Sequence, residues 1–264
     1  VKKIGGIPFL IGGIGQDNAA NKLKSCIKKI NIKNFFLENL NSITTNKIRI
    51  FSDYKSILRL DNEKIFKISK NDNIKLKKKI IGKIKTSDVV VISDYGKGFC
   101  SNIILNLIIS NTNKLNIPLI IDTKKNAKNF NIYKNSYCIK PNFLEAKSIY
   151  KRLKKNDLSL KKCSLSIKKK YKIKNVIITL GEDGSTLLDE KNNFYHFRHV
   201  KKKNIDVTGA GDNFTAALAV SMVLVNDLKI ASNISNNLSG IAVEKFGTYA
   251  VTLKNLHSAM KRLK

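Results

Sequence analysis

Four short apolar runs dominate what this chain can fold into, because each ends at once in a loop of polar and glycine residues. They are "DVVVISDYGKG" (88–98), "IPLIIDTKK" (117–125), "SYCIKPNFLEA" (136–146) and "VIITLGEDGSTLLDE" (176–190). Short apolar runs without polar alternation, most of them rich in Val and Ile, are the pattern of strands buried on both faces. Amphipathic stretches separate most of them. The order predicts an α/β fold with a central, mostly parallel sheet covered by helices on both faces. In such sheets ligands gather beyond the C-terminal ends of the strands. Asp94, Lys97, Asp122, Lys124, Asn142, Glu145 and Thr179 all fall there.

Upstream, "IPFLIGGIG" (7–15) reads as a strand ending in glycines, and "DNAANKLKSCIKKI" (17–30) as an amphipathic helix. "NKIRIFSDYKSILRLD" (46–61) alternates on both sides of a turn around Ser52, Asp53 and Tyr54, which predicts a hairpin with Arg49 and Arg59 on its arms. A Lys-rich helix is expected from about Asn73 to Lys85. "RLKKNDLSLKKCSLSIKKKYKIKN" (152–175) reads as charged helices with a loop.

The sharpest chemical signal is "NIDVTGAGDNFTAALAV" (204–220). Gly209, Ala210 and Gly211 lead into a strongly helix-prone stretch, whose first-turn amides and positive dipole end suit an anion. Glycine lets the backbone curl and a phosphate approach closely. Asp212 then has two readings: a base that accepts a proton from an attacking hydroxyl, or an ordinary helix cap. In "KPNFLEA", Asn142 and Glu145 stand three apart after Pro141. They read either as a pair handling a phosphate chain and water-shelled Mg²⁺, or as a cap at a helix start. "TLGEDG" places Thr179, Gly181 and Gly184 after a strand, as a loop under a nucleotide or as a plain hairpin turn. It lacks the strand-to-helix context of a dinucleotide fingerprint. His196 and His199 would face opposite sides of a strand and do not form a metal pair.

The formal net charge is +31 over 264 residues. The excess is nearly all Lys, spread along the chain with abundant Asn and Ile, and Arg is scarce. That mixture points to a solvated Lys surface in a compositionally biased protein rather than a nucleic-acid groove. No run has the length of a membrane span. Four well-separated cysteines suggest neither a zinc site nor a disulfide framework, and a cytoplasmic location is expected.

"DVTGAGD" together with "KPNFLEA" resembles the paired signatures of the ribokinase-like PfkB family of sugar kinases, and the likeness extends from about Pro8 to the end. Within that family the chain is similar to the kinases of D-glycero-β-D-manno-heptose 7-phosphate that form the first half of bifunctional heptose kinase and adenylyltransferase proteins. The resemblance implies ATP and Mg²⁺ as cofactors and a sugar phosphate as substrate. The expected product is the 1,7-bisphosphate of ADP-heptose and lipopolysaccharide core biosynthesis. It makes Asp212 the catalytic base and the amides of Gly209, Ala210 and Gly211 the anion hole. Asn142, Phe143, Leu144 and Glu145 become the ATP segment, with Glu145 holding Mg²⁺ through water. Thr179, Gly181 and Gly184 flank the nucleotide, and Asn237 and Gly240 lie where the family closes its adenine pocket. Arg49 and Lys97 are candidates near the sugar phosphate.

Family members begin with a strand ending in Gly-Asp, followed by lid strands and a Gly-Gly-x-x-Asn segment. The sequence starts beyond these at Val1, so residues 1–264 are expected to form one N-terminally truncated kinase domain without an adenylyltransferase domain. Alternatives are another PfkB sugar or nucleoside kinase, a catalytically dead nucleotide-binding remnant, and a Lys-rich nucleic-acid binder. A homodimer is the assembly to test.

Overall fold

The computed structural model describes residues 1–52, 55–123, 127–152, 159–198 and 206–261. A short 3₁₀ turn at Lys2–Ile4 precedes β1 (Phe9–Ile14), α1 (Asn18–Lys29), β2 (Lys33–Glu38) and the hairpin arms β3 (Asn46–Ser52) and β4 (Lys55–Asn62). Then come α2 (Lys70–Ile84), β5 (Val90–Asp94), α3 (Asn102–Lys114), β6 (Leu119–Thr123), β7 (Cys138–Ile139), α4 (Phe143–Arg152) and α5 (Leu160–Tyr171). The chain closes with β8 (Asn175–Thr179), β9 (Ser185–Leu188), β10 (Phe194–Phe197), α6 (Ala210–Val225), α7 (Leu228–Val243) and α8 (Leu253–Lys261).

The main sheet has six strands in the order β10-β9-β8-β7-β6-β5. Strands β5 to β8 pair in parallel, and β9 and β10 return antiparallel, so the sheet is mixed. Strand alternation divides its buried residues between two layers. Leu119 and Ile121 of β6 and Val176 and Ile178 of β8 face a core shared with α2, α3, α4 and α5. Their neighbours Ile120 and Ile177 face Phe214, Leu218, Ala219 and Met222 of α6. All six strand residues are fully buried, and each aliphatic side chain so placed contributes about 1.5–3 kcal/mol. A third cluster joins α6, α7 and α8 through Ala217, Leu238 and Leu256.

Two pieces stand apart from this sheet. Strands β1 and β2 form their own parallel pair, and β3 and β4 form a separate antiparallel ribbon. The expected hairpin is therefore present as a ribbon, although its turn residues Asp53 and Tyr54 lie outside the described residues. Among the described residues no strand pairs with the outer edge of β5, so the sheet is divided where the sequence suggests one continuous layer. The β1–β2 pair joins the rest through side chains instead: Ile11 and Phe35 pack against the core of α2 and α3.

Candidate active site

The turn before α6 is built by short-range hydrogen bonds that fix its direction. Gly209 is the N-cap with φ 80°, a left-handed conformation open to glycine at little cost. Asp206 receives the Thr208 N–H at 2.8 Å and the Gly247 N–H at 3.0 Å. Burial works against ionising Asp206, but these bonds, the Thr208 side chain and the nearby Arg49 together hold its carboxyl below the usual range. Asn213 adds a second tie, donating to the carbonyls of Gly209 at 3.0 Å and Tyr249 at 2.8 Å. The Ala210 N–H turns back to the Val207 carbonyl at 3.2 Å. That engagement removes Ala210 from the outward-facing amides. Helix geometry leaves Gly211 and Asp212 as the first-turn N–H groups directed out of the helix end.

Asp212 is exposed at that end. The hydroxyl of Tyr95 approaches its Oδ1 at 3.4 Å from the loop after β5. That loop is anchored from below by Asp94, which is 1 % exposed. One Asp94 oxygen accepts the Gly96 N–H at 2.8 Å, and the other accepts the buried Tyr133 hydroxyl at 2.7 Å. Burial, followed by the charge of Asp94, pushes the Tyr133 phenol well above its ordinary pKa, so it acts as a fixed donor. Tyr95 was not among the candidates drawn from the sequence. Its position in a strand-end loop was the available signal, and its partner lies 117 residues away.

Asn142 and Glu145 cap α4 reciprocally. The Asn142 N–H donates to Glu145 Oε2 at 2.8 Å, and the Glu145 N–H donates to Asn142 Oδ1 at 2.9 Å. This is the capping alternative in full, and it holds a carboxylate at the helix start in a defined orientation. Phe143 is half-buried beside them, whereas Leu144 is 73 % exposed. An isolated parallel bridge joins Asn142 to Thr179, and the Thr179 N–H donates to the Pro141 carbonyl at 3.2 Å. The two motifs are thus neighbours at the same sheet edge. "TLGEDG" itself is the tight link between antiparallel β8 and β9, with a 3₁₀ turn at Gly181–Asp183. Gly184 is compulsory there: its φ is 87°, and a Cβ would sit 2.0 Å from the Phe197 carbonyl oxygen.

On α7, Asn237 and Gly240 are half-buried and three residues apart, on one stripe. The Asn237 amide donates to the Asn233 carbonyl at 3.0 Å. Arg49 is exposed on β3 directly across from Arg59 of β4. Arg59 forks onto Asp61 at 2.8 and 2.7 Å, and this contact, then Lys47, lowers the Asp61 carboxyl to about 2. Lys97 pairs with Glu63, which Lys47 also reaches at 2.9 Å. Lys97 thus lies at the base of the ribbon, with its side chain still partly exposed. His196 Nε2 lies 3.0 Å from the Asp183 carbonyl oxygen, and His199 falls outside the described residues.

Among the described residues no group of three or more His, Cys, Asp or Glu side chains is arranged to hold a metal. A cation bound by many protein ligands does not fit. Mg²⁺ keeps much of its water shell and needs few carboxylates, and the Glu145 carboxylate, oriented by its cap, is compatible with such a site.

An anion-directed helix end with an exposed acid, beside a second motif one strand away, is matched by the sequence as a whole. The profile of the pfkB family carbohydrate kinases covers residues 1–255. The chain belongs to the PfkB carbohydrate kinase family. Among curated relatives of this PfkB family member, the bifunctional protein HldE of Aliarcobacter butzleri is 34 % identical over 252 residues, 94 % of this chain and 52 % of that protein. HldE of Pseudomonas entomophila is 30 % identical over 262 residues, 99 % of this chain and 54 % of that protein. The chain spans about half the length of the curated relatives it matches. Its fold is ribokinase-like. Escherichia coli phosphofructokinase-2 superposes with a TM-score of 0.80 at 17 % identity, covering 99 % of this chain and 84 % of that one. Giardia lamblia ribokinase gives 0.76 at 16 % identity, covering 97 % and 83 %.

Proposed function

We propose that this PfkB kinase transfers the terminal phosphoryl group of ATP to a sugar phosphate, with D-glycero-β-D-manno-heptose 7-phosphate as the substrate and its anomeric hydroxyl as the acceptor. The observation that carries the reading is the exposed carboxylate of Asp212 in the first turn of α6, one residue beyond the amide-bearing glycine turn. In this scheme Asp212 takes the proton of the attacking hydroxyl, and Tyr95 holds the carboxylate toward the sugar. The Gly211 and Asp212 amides, with the Gly209 turn behind them, stabilise the phosphoryl group as charge moves onto its oxygens. Mg²⁺, when bound, neutralises phosphate charge, and Glu145 would hold it through water. Thr179, Gly181, Asn237 and Gly240 border the nucleotide. Arg49 stands toward the sugar phosphate, and Lys97 supports the ribbon that carries it. The similarity to HldE proteins supports the heptose assignment and its place in ADP-heptose biosynthesis.

Two measurements test this. Asp212→Asn is expected to lower kcat by about 10²–10⁴ with ATP affinity changed little, and wild-type turnover in that variant would remove Asp212 as the base. A screen of the purified protein against heptose 7-phosphate, fructose 6-phosphate and ribose should give the highest kcat/KM with the heptose. Preference for either other sugar would refute the substrate while leaving the kinase chemistry intact.

A further inference from the structure

Beneath the first turn of α6 lies a buried charge pair that no step above uses. Lys140, just past β7, places Nζ 3.2 Å from Oδ1 of Asp122 at the end of β6, with their side chains 4 % and 6 % exposed. The hydroxyl of Thr215, one turn into α6, lies 3.1 Å from the other Asp122 oxygen and 2.9 Å from the Gly211 carbonyl. Three elements therefore converge on one carboxylate. A side chain on Gly211 would meet Lys140 Nζ at 3.8 Å, so the ammonium stands directly against the glycine at the helix mouth.

Stability is a poor reason for this arrangement. Desolvating two charges costs about as much as their attraction returns, and a well-packed apolar pair in the same place is often neutral or stabilising. Two buried charges are informative when something nearby uses their field, which is strong where water is excluded. Asp122 alone would place negative charge under a site that must accept phosphate. Lys140 cancels that charge and presents its own positive side to Gly211.

We propose that Lys140, oriented by Asp122 and Thr215, is a positioning residue that forms the cationic floor of the phosphoryl site and acts through Gly211. The inference rests on the phosphotransfer reading of the α6 mouth but not on the identity of the sugar. It predicts a dependence on ligand phosphate charge that packing alone would not produce.

The test is the double variant Lys140→Met/Asp122→Asn, which removes both charges together and avoids stranding one of them. Calorimetric titration should show ATP binding weakened about tenfold with adenosine binding unchanged. With a sugar phosphate acceptor, kcat should fall at least about tenfold, less than the ~10²–10³ lost with a direct oxyanion donor, because Lys140 acts through the backbone. Wild-type affinity for both ATP and adenosine would overturn the proposal, as would equal weakening of the two. If the double variant does not fold, Thr215→Val decides instead, since it keeps the shape and removes the hydroxyl's contacts with Asp122 and the Gly211 carbonyl while leaving both charges in place. A several-fold loss of ATP but not adenosine affinity is expected there, and unchanged ATP affinity overturns the proposal. Should the wild-type protein phosphorylate no sugar, the phosphotransfer reading fails, whereas the ATP and adenosine titrations still decide whether Lys140 serves a phosphate site.

Discussion

Single residues set the site's tolerances, and Gly184 is the most demanding. A methyl group there faces both a backbone conformation that L side chains rarely adopt and a carbonyl oxygen at 2.0 Å, with no flexible side chain able to yield. Gly184→Ala should destabilise the protein by more than about 1 kcal/mol, read as a lower midpoint in urea, because the β8–β9 link must open. An unchanged midpoint would mean that the β10 backbone yields readily at Phe197. Gly181 is a contrast, since a Cβ there meets nothing within 4 Å although its φ is 65°. Asp206 shows the same division between contact and conformation. Its carboxylate, not its chain direction, joins the α6 turn to Gly247. Cys138 belongs at the inert end of the scale, with burial pushing its thiol up to about 12.

At the scale of elements, helix starts are specified by their caps. Ser69, Ser101 and Asp227 accept first-turn amides of α2, α3 and α7, and Asp17 accepts the Ala20 N–H of α1 at 2.8 Å. Asp17 does more, because its other oxygen takes the Thr44 N–H at 2.7 Å and so ties α1 to the approach of the ribbon. These bonds, Thr44 first, hold its carboxyl below the ordinary value. Asp17→Ala should therefore cost about 1 kcal/mol at neutral pH. Because the folded pKa is the lower one, the contribution is complete above the unfolded value near pH 4 and disappears as pH falls through the folded value. The difference in Tm between wild type and Asp17→Ala should close in that acid window. A gap that persists below it would assign the effect to packing. On the opposite side of the same unit, Lys83 lies 4.3 Å from the Phe9 ring centroid and Lys79 reaches Phe35 at 5.6 Å. Long lysine stems on α2 thus cover aromatic surface that the β1–β2 pair would otherwise expose.

Across the whole molecule the dominant feature is charge. With +31 spread over one chain, self-repulsion opposes the compact state, and the few exposed ion pairs, such as Lys24 with Glu38, contribute little against it. Raising ionic strength from about 0.01 to about 0.15 M shortens the Debye length from about 30 to about 8 Å. Tm should rise over that range. A fall in Tm would show that specific ion pairs outweigh the global repulsion. Three of the acidic residues, Asp94, Asp122 and Asp206, act as hydrogen-bond hubs near the C-terminal edge of the main sheet. Lysines fill much of the exposed surface, and Lys140 is a buried exception.

The sequence by itself determined the elements and the edge at which they converge. Strand alternation placed Ile120 and Ile121 on opposite layers, Asp17 announced α1, and the glycine turn before Asp212 marked a helix mouth, because each signal acts over a few neighbouring residues. Helix α2 shows the limit of such signals: it begins at Lys70 under the Ser69 cap, three residues before its apolar pattern becomes visible. Only the tertiary structure decided that the β1–β2 pair stands apart from the main sheet, that Tyr95 meets Asp212, and that Lys140, Asp122 and Thr215 share one buried contact. Those outcomes depend on which strand ends lie side by side after crossovers of many residues. No local period or spacing encodes a meeting between residues brought together by the packing of α6 on the sheet.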